Sequence, residues 1–254
     1  MAPPCKEYRC QRVSEKPKLK GFLTGKGWEE LPWTDEFVDI TGNEELKPRF
    51  WSKVKMGWDD EYFYVGALME EPHVWGTITK KNAQMFEDND FEIFIDPDGD
   101  GLSYYEFEIN ALGTIWELSL PKPYKDGGKP VLGCNINGLI SAIGVSGTLN
   151  DPGDTDEGWS VTVAIPWAGL TQYHKQGLSP PVVNAVWRVN FSRVQWQHEI
   201  VDGQYKRVPP PGSRSSECLN PEEQEHPEDN WVWSPQGAIN MHMPERWGKV
   251  QFVE

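Results

Sequence analysis

One stretch limits what this chain can fold into: residues 88–101, DNDFEIFIDPDGDG, followed by residues 104–110, YYEFEIN. Both segments read as β-strands, and an acidic loop that contains glycine joins them. Carboxylates alternate with aromatic and aliphatic residues along the strands. A strand carboxylate that faces neither the core nor open water needs a partner, which is a metal, an arginine or a polar ligand. The stretch therefore predicts a β-hairpin whose polar face has such a partner.

Further segments typical of β-strands, separated by turn signals, run along most of the chain. They cover residues 7–13, two strands within 52–70, 114–120, 139–145, 159–167, 187–196, 231–233 and 247–253. The first of them is predicted as a short edge strand. No internal repeat and no long amphipathic helix interrupts this pattern. It predicts an all-β fold, a single antiparallel β-sandwich of the immunoglobulin-like or jelly-roll-like kind with long loops.

One domain is expected to span residues 1–254, which is ample for a sizeable core. Residues 199–230 are rich in proline, charge and serine, and they are interpreted as an insertion or mobile loop within that domain. The four cysteines, Cys5, Cys10, Cys134 and Cys218, are scattered, and we expect free thiols. Their spacing does not match a zinc site.

The chain is acidic, with a formal net charge of -15 and a pI of about 4.8. This charge disfavours nucleic acid and anionic membranes as partners, because both would be repelled. No apolar run reaches the roughly 18 residues of a membrane span, and the first residues lack the pattern of a signal peptide. We therefore expect a soluble, cytoplasmic protein, or a secreted one where the chain is a processed form. The sequence does not indicate an oligomeric state.

Polar residues of three strands fall on one face of each strand, because side chains alternate with a period of two. They are Glu92 on the first strand, Glu106, Glu108 and Asn110 on the second, and Arg188, Asn190 and Ser192 on the third. Where these strands are neighbours, they form a concave surface flanked by aromatic side chains. Such a surface fits a neutral polyol, whose hydroxyls pair with carboxylates and amides while its apolar face lies on aromatic rings. A solvated outer face, or a ladder of Glu–Arg salt bridges, is the structural alternative.

The loop between the first two of these strands has a second interpretation. Asp96, Asp98 and Asp100, with Gly101 after them, match the first half of an EF-hand calcium loop. The match ends there, because Phe107 stands where that loop requires a glutamate. A structural Ca²⁺ and a simple Asp-Gly hairpin turn are both open interpretations. No organic cofactor is indicated.

Catalysis is a separate hypothesis. Glu92 with Glu106 or Glu108 could supply the acid and base of a glycoside hydrolase, which need two carboxylates about 5 to 10 Å apart. Strand geometry places Glu106 and Glu108 roughly 7 Å apart, as on any polar strand face. A serine hydrolase is disfavoured because no Gly-x-Ser-x-Gly motif occurs.

Several motifs, in their order along the chain, resemble carbohydrate-binding module family 9 and its wider family 9-like group. They are WDDEYFYV at 58–65, DNDFEIFID at 88–96, YEFEIN at 105–110, WSP at 233–235 and PERWG at 244–248. The resemblance covers the chain from about Trp28 to Phe252. It implies a β-sandwich that binds sugars without catalysis, holds the end of a sugar chain between two tryptophans, and carries structural calcium.

Transferred residue by residue, the resemblance implies only part of this site. Glu92 matches the sugar-binding glutamate, and Asn190 falls where an amide contacts the ligand. The two clamping tryptophans correspond to Phe86 and Met241, and Glu108 replaces an arginine of the family.

The leading hypothesis is non-catalytic binding of a mono- or oligosaccharide, with the sugar end held against aromatic side chains on a concave sheet face. The predicted site consists of Phe86, Glu92, Glu108, Arg188, Asn190, Trp233 and Met241. The alternatives are a glycan-processing hydrolase, as above, and a structural module whose sugar site has decayed. A Phe and Met pair would hold a ring more weakly than two indoles.

Overall fold

The computed structural model describes residues 3–170, 180–208 and 228–254. Fifteen strands occur within these ranges: β1 Glu7–Arg12, β2 Val38–Asp39, β3 Ser52–Trp58, β4 Tyr62–Glu70, β5 Asp90–Asp96, β6 Tyr104–Asn110, β7 Ile115–Leu120, β8 Val131–Leu132, β9 Ile140–Ser146, β10 Gly158–Pro166, β11 Val186–Gln195, β12 His198–Val201, β13 Gln204–Arg207, β14 Asp229–Val232 and β15 Gly248–Val253. The helices are short: α1 Lys26–Glu29, α2 Trp167–Leu170, and 3₁₀ turns at Met85–Glu87, Tyr124–Asp126 and Pro244–Arg246.

Thirteen of the strands form one curled, mixed sheet in the order β8-β7-β6-β5-β11-β15-β1-β3-β4-β10-β9. Strand β14 pairs with β11 and with β2, while β12 and β13 form a separate hairpin. The two arms of the curled sheet face each other and enclose one core. For example, Val54 and Val163 of one arm belong to the same apolar cluster as Ile93 and Phe107 of the other. The prediction of an all-β sandwich is confirmed.

The position of β1 differs from the prediction of an edge strand. It lies in the middle of the sheet and pairs in parallel with β15 on one side and β3 on the other. Its alternation of exposed and buried residues, with Tyr8 and Cys10 buried, reports one solvated face. That pattern carries no information about backbone pairing, and both partner strands are distant in sequence.

The segment predicted as an insertion, residues 199–230, contains part of the β12–β13 hairpin and the start of β14. Residues 209–227 of that segment, including Cys218, lie outside the described residues. Cys5, Cys10 and Cys134 are free. Within the described ranges, no helix has the length and apolarity needed to cross a membrane.

Candidate functional site

The site lies on the outer face of three neighbouring strands, β6, β5 and β11. Phe91, Ile93 and Ile95 of β5 point into the core between the two arms, so the even-numbered residues of β5 face outward. Antiparallel pairing places Glu92 directly opposite Glu108 of β6 on one side and Ser192 of β11 on the other. The register thus brings together polar residues that are as much as 100 positions apart in sequence.

Four carboxyl groups on this face are buried: Asp90, Glu92, Glu106 and Glu108 are at most 5 % exposed. Carboxylate oxygens of Asp90, Glu92 and Glu108 lie within 4.8 Å of one another. Both oxygens of Asp90, one of Glu106 and one of Glu108 have no hydrogen-bond partner among the described residues. We call these four residues the carboxyl cluster.

The carboxyl cluster has strongly perturbed acidity. Burial raises the pKa of Asp90, Glu106 and Glu108 well above the ordinary values, and repulsion by neighbouring carboxylates adds to the effect. Burial also raises the pKa of Glu92, to about 7. Since several like charges this close cannot all ionise without a counter-charge, the cluster holds either protons or a bound cation near neutral pH.

An apolar layer surrounds the carboxyl cluster. Met85, Trp116 and Met241 belong to a second hydrophobic cluster on this face, separate from the central core. Trp116 lies opposite Glu108 in the sheet, and its indole N–H is buried without a hydrogen-bond partner among the described residues. Phe86 leans against Trp116, with ring centroids 5.8 Å apart.

The face is covered in this structure. Met241 is 8 % exposed, whereas Phe86 is 37 % exposed and Tyr124 is 44 % exposed at the rim. Burial raises the pKa of Tyr124, and the nearby carboxylates of Glu106 and Glu108 raise it further. The carboxyl cluster is therefore buried, and partly exposed aromatic side chains lie at the edge of this face.

Of the predicted site residues, Glu92 and Glu108 lie together in the carboxyl cluster. Asn190 is on the same face, but its amide both accepts a hydrogen bond from the Ser234 N–H and donates one to the Ser234 carbonyl. Arg188 donates a hydrogen bond to the Trp247 carbonyl at 3.0 Å. These two polar groups stabilise neighbouring backbone.

Trp233 lies apart from the other predicted residues. It is 1 % exposed in the central core, where its ring packs against Tyr8 and Phe191. A β-carbon on Gly248 would approach its ring atoms to 2.3 Å. The core position of Trp233 thus depends on the glycine that follows Trp247.

The sequence analysis missed Asp90, Met85 and Trp116. Asp90 was open to prediction, because it precedes Glu92 by two residues and so shares its face. Trp116 is found only through its pairing with Glu108, and Met85 lies in a 3₁₀ turn whose position depends on tertiary packing.

The acidic loop that begins at the end of β5 is a separate group. Carboxylate oxygens of Asp96, Asp98 and Asp100 lie within 4.8 Å of one another. Asp96 accepts hydrogen bonds from the Gly99 and Gly101 N–H groups, and burial raises its pKa to about 7. These are the contacts of a tight turn, and calcium binding in the loop stays a prediction.

A family model described as "Carbohydrate family 9 binding domain-like" matches residues 23–180. The chain belongs to this family. Among curated relatives of this family 9-like protein, the exoglucanase XynX of Acetivibrio thermocellus is 29% identical over 117 residues, which is 46% of this chain and 9% of that relative. The endo-1,4-beta-xylanase A of Thermoanaerobacterium saccharolyticum is 28% identical over 117 residues, 46% of this chain and 8% of that relative. The family 9-like chain thus spans less than a tenth of the length of these relatives.

Solved structures share the fold of this family 9-like protein. A candidate carbohydrate-binding protein of Bacteroides uniformis ATCC 8492 superposes with a TM-score of 0.65 at 16% identity, covering 97% of this chain and 99% of that one. A carbohydrate-binding module of family 9 from Caldicellulosiruptor kristjanssonii, in complex with cellotriose, superposes with a TM-score of 0.59 at 12% identity. The superposition covers 98% of this chain and 94% of that module. A family 9 module from Caldicellulosiruptor kristjanssonii in complex with glucose superposes with a TM-score of 0.57 at 14% identity. The superposition covers 96% of this chain and 95% of that module.

Proposed function

We propose that this protein binds carbohydrate without catalysis, and that the end of a mono- or oligosaccharide binds on the face that holds the carboxyl cluster. One observation carries the proposal: buried acceptors of Asp90, Glu106 and Glu108 and the buried donor of Trp116 lack partners on one aromatic-edged face. Buried polar groups are normally hydrogen-bonded. Sugar hydroxyls both donate and accept, so a polyol is the ligand class that matches a mixed set of this kind.

The family relationship supports the same proposal. Family 9 modules of Caldicellulosiruptor kristjanssonii form complexes with cellotriose and with glucose. These ligands are therefore the first to test. In this proposal Glu92 and Glu108 accept hydrogen bonds from hydroxyl groups, and the Trp116 N–H donates one.

Phe86 and Met241 form the aromatic and apolar contacts of the proposed site. Phe86 contacts the Trp116 ring, Met241 belongs to the same apolar cluster as Trp116, and Phe86 is the more exposed of the two. A sugar ring gains access when these side chains rotate outward, and it then packs against them. Because Phe and Met offer a smaller and more flexible surface than two tryptophans, we expect weak binding. Asn190 and Arg188 support the sheet face through backbone contacts.

Isothermal titration calorimetry with glucose, cellobiose and cellotriose tests the proposal. The sites to change are Phe86→Ala for the rim, Glu92→Gln for the carboxyl cluster and Trp116→Phe for the buried donor. Phe22→Ala is the matched control, because Phe22 is an exposed aromatic that packs near Gly144 on the other arm. Cellotriose reduced at its end to the alditol tests whether the sugar end is what binds.

We expect saturable heat with the wild type and Phe22→Ala. The three site variants should bind at least tenfold more weakly, since each loses a contact worth about 1.4 kcal/mol or more. A flat response across a broad glycan panel would contradict the proposal and favour a structural module with a decayed site. Equal binding by wild type and all three site variants would place the sugar elsewhere.

Glycan hydrolysis is the second candidate. One distance favours it, because carboxylate oxygens of Glu92 and Glu108 lie within 4.8 Å, near the separation of about 5 Å in retaining hydrolases. Incubation with cello- and xylo-oligosaccharides, followed by product analysis, tests it. Turnover that disappears in Glu92→Gln supports hydrolysis, whereas binding without products supports the binding protein.

A further inference from the structure

We propose that the protein has a second ligand site, a cavity that binds a small ring compound carrying a carboxylate. Lys206 and Arg207 are its cationic contacts. A uronate, the carboxylate form of a sugar ring, is the ligand we expect. The cavity is formed by residues outside the carboxyl cluster, and it is tested with ligands of its own.

The cavity lies between the β12–β13 hairpin and residues 75–88, and it has a volume of about 340 Å³. Both segments contribute to its walls, with Trp75, Thr77, Asp88, Tyr205, Lys206 and Arg207. Pockets for small molecules start at about 300 Å³. This cavity therefore has room for a single ring with its substituents.

The hairpin is fixed against the rest of the fold, so the cavity exists without a ligand. The Tyr205 ring stacks on Trp75 with centroids 6.0 Å apart, and its hydroxyl donates a hydrogen bond to the Asp151 carbonyl at 3.1 Å. The Arg207 guanidinium lies 4.2 Å from the centre of the Trp196 ring. A pre-formed pocket of this kind loses little conformational entropy when a ligand binds.

Three donor groups in the walls lack an acceptor or a counter-charge. Lys206 and Arg207 form no ion pair with an acidic side chain of the described residues. Arg207 donates to the Glu87 carbonyl, which uses one of the five N–H groups of a guanidinium. Trp75 is 3% exposed, and its indole N–H has no acceptor within the described ranges. Since buried polar groups are normally hydrogen-bonded, a ligand that accepts hydrogen bonds fits this set.

The two carboxylates beside the cavity differ in their availability. Asp88 is buried and accepts hydrogen bonds from the Thr77 N–H and hydroxyl, the Ile78 N–H and the Asn110 amide. Its charge is thus stabilised from within the chain. Glu87 is exposed, and it would repel an anionic ligand weakly. The groups that are free to meet a ligand are mainly cations and donors, which favours a carboxylate over a neutral hydroxyl.

The aromatic walls explain why a ring should carry the carboxylate. Trp75 and Tyr205 offer apolar surface on which a sugar ring or an aromatic ring can pack. The carboxylate would form charge-assisted hydrogen bonds with Lys206 and Arg207, and a guanidinium can hold it through two parallel bonds. A uronate and an aromatic acid share this chemistry, so both are titrated.

Two indole N–H resonances separate this site from the proposed sugar face in NMR titrations of the full chain. The Trp75 resonance, assigned by its loss in Trp75→Phe, reports on the cavity, and the Trp116 resonance reports on the sugar face. The ligands are glucuronate, benzoate and glucose at low ionic strength. Glucose is the matched neutral ligand, because it has a hydroxymethyl group where glucuronate has the carboxylate.

Four variants test the contacts. Lys206→Gln and Arg207→Gln each remove a positive charge from the cavity, and Glu87→Gln removes the repelling carboxylate. Lys18→Gln is the matched control, since Lys18 is an exposed lysine whose backbone carbonyl contacts Trp28 on the other arm.

We expect glucuronate to shift the Trp75 resonance saturably, and glucose to do so at least about tenfold more weakly. Lys206→Gln and Arg207→Gln should each weaken glucuronate binding by about tenfold, and added salt should weaken it in the wild type. Glu87→Gln should strengthen it by up to about fivefold, and Lys18→Gln should leave it unchanged. Benzoate that binds with the same variant pattern supports a site for carboxylates on any ring, and benzoate that does not bind supports a uronate site.

Three results would overturn the proposal: no Trp75 shift at tens of millimolar glucuronate, an equal shift with glucose, or a shift that neither cation variant weakens. An increase in affinity in Glu87→Gln is a test that does not depend on how well the cation variants fold. Cellotriose that shifts the Trp116 resonance while glucuronate leaves Trp75 unchanged would contradict this proposal and leave the proposed function intact.

Discussion

Glu92 and Glu108 lie directly opposite each other on neighbouring antiparallel strands, both buried, with carboxylate oxygens within 4.8 Å. Like charges in this position destabilise a sheet. Burial raises the pKa of both groups, which means that the folded chain stores repulsion that a proton or a cation offsets.

Glu108→Gln is therefore expected to stabilise the chelator-treated protein. The raised pKa of Glu108 means that the folded chain retains protons that the unfolded chain loses above about pH 4.5, so wild-type stability falls as the pH rises. An amide has no such titration. We expect a gain of about 1–2 kcal/mol in unfolding free energy at pH 7 and a smaller gain at pH 5, measured by urea denaturation with EDTA. Glu44→Gln, on an exposed residue, is the control, and a loss of stability at pH 7 would contradict the argument.

His242 should produce a pH dependence of the opposite sign. Burial lowers its pKa to about 4, and its ring nitrogen lies 2.9 Å from the Tyr104 hydroxyl. Below about pH 6.5 the unfolded chain binds a proton that the folded chain rejects, so stability is lost as the pH falls toward 4. Between pH 7 and pH 4.5, the unfolding free energy of the wild type should fall by about 2 kcal/mol more than that of His242→Gln. Thermal melts over this pH range measure the difference. If the unfolding free energy of His242→Gln falls with pH as steeply as that of the wild type, another group is responsible for the pH dependence.

The pair formed by Arg193 and Glu71 joins β11 to the end of β4. Its atoms are 3.0 Å apart, with side chains 1% and 2% exposed, and Arg193 also donates to Ser52 and Gln195. Glu71→Gln leaves a buried guanidinium without its counter-charge, so we expect a loss of about 3 kcal/mol in unfolding free energy. The double variant Glu71→Leu/Arg193→Met should be more stable than Glu71→Gln.

A surface pair is the control for this measurement. Glu7 and Lys249 are 3.2 Å apart with exposed side chains, and Glu7→Gln should change stability by less than about 1 kcal/mol. Equal losses in the buried and surface variants would show that burial does not determine the strength of the Arg193–Glu71 pair.

Gly248→Ala tests how Trp233 is held in the core. The new methyl group would meet the Trp233 ring at 2.3 Å, and overpacking of this kind costs about 1–3 kcal/mol. Trp233→Phe makes a cavity by itself, but in the double variant with Gly248→Ala the smaller ring accommodates the methyl group. We therefore expect the two losses to be less than additive in thermal melts, and simple additivity would contradict the contact.

The sequence determined the fold class. Period-two alternation in segments such as 104–110 and 91–96 reports which side chains face a core, because that choice is local to each strand. The same alternation located Glu92 and Glu108 on the outer face, and the motifs at 88–96 and 105–110 led to the family to which the chain belongs.

The tertiary structure alone decided which strands are neighbours, and hence what the site contains. β1 lies between β15 and β3, and Ser192 meets Glu92 across 100 residues of chain, because backbone pairing between distant segments leaves no local pattern. The sequence pattern also led to the prediction that Trp233 belongs to the ligand site, whereas the structure places it in the central core. The close approach to Gly248 assigns it to the core. The carboxyls of β5 and β6 became one buried cluster only through the register that places them side by side.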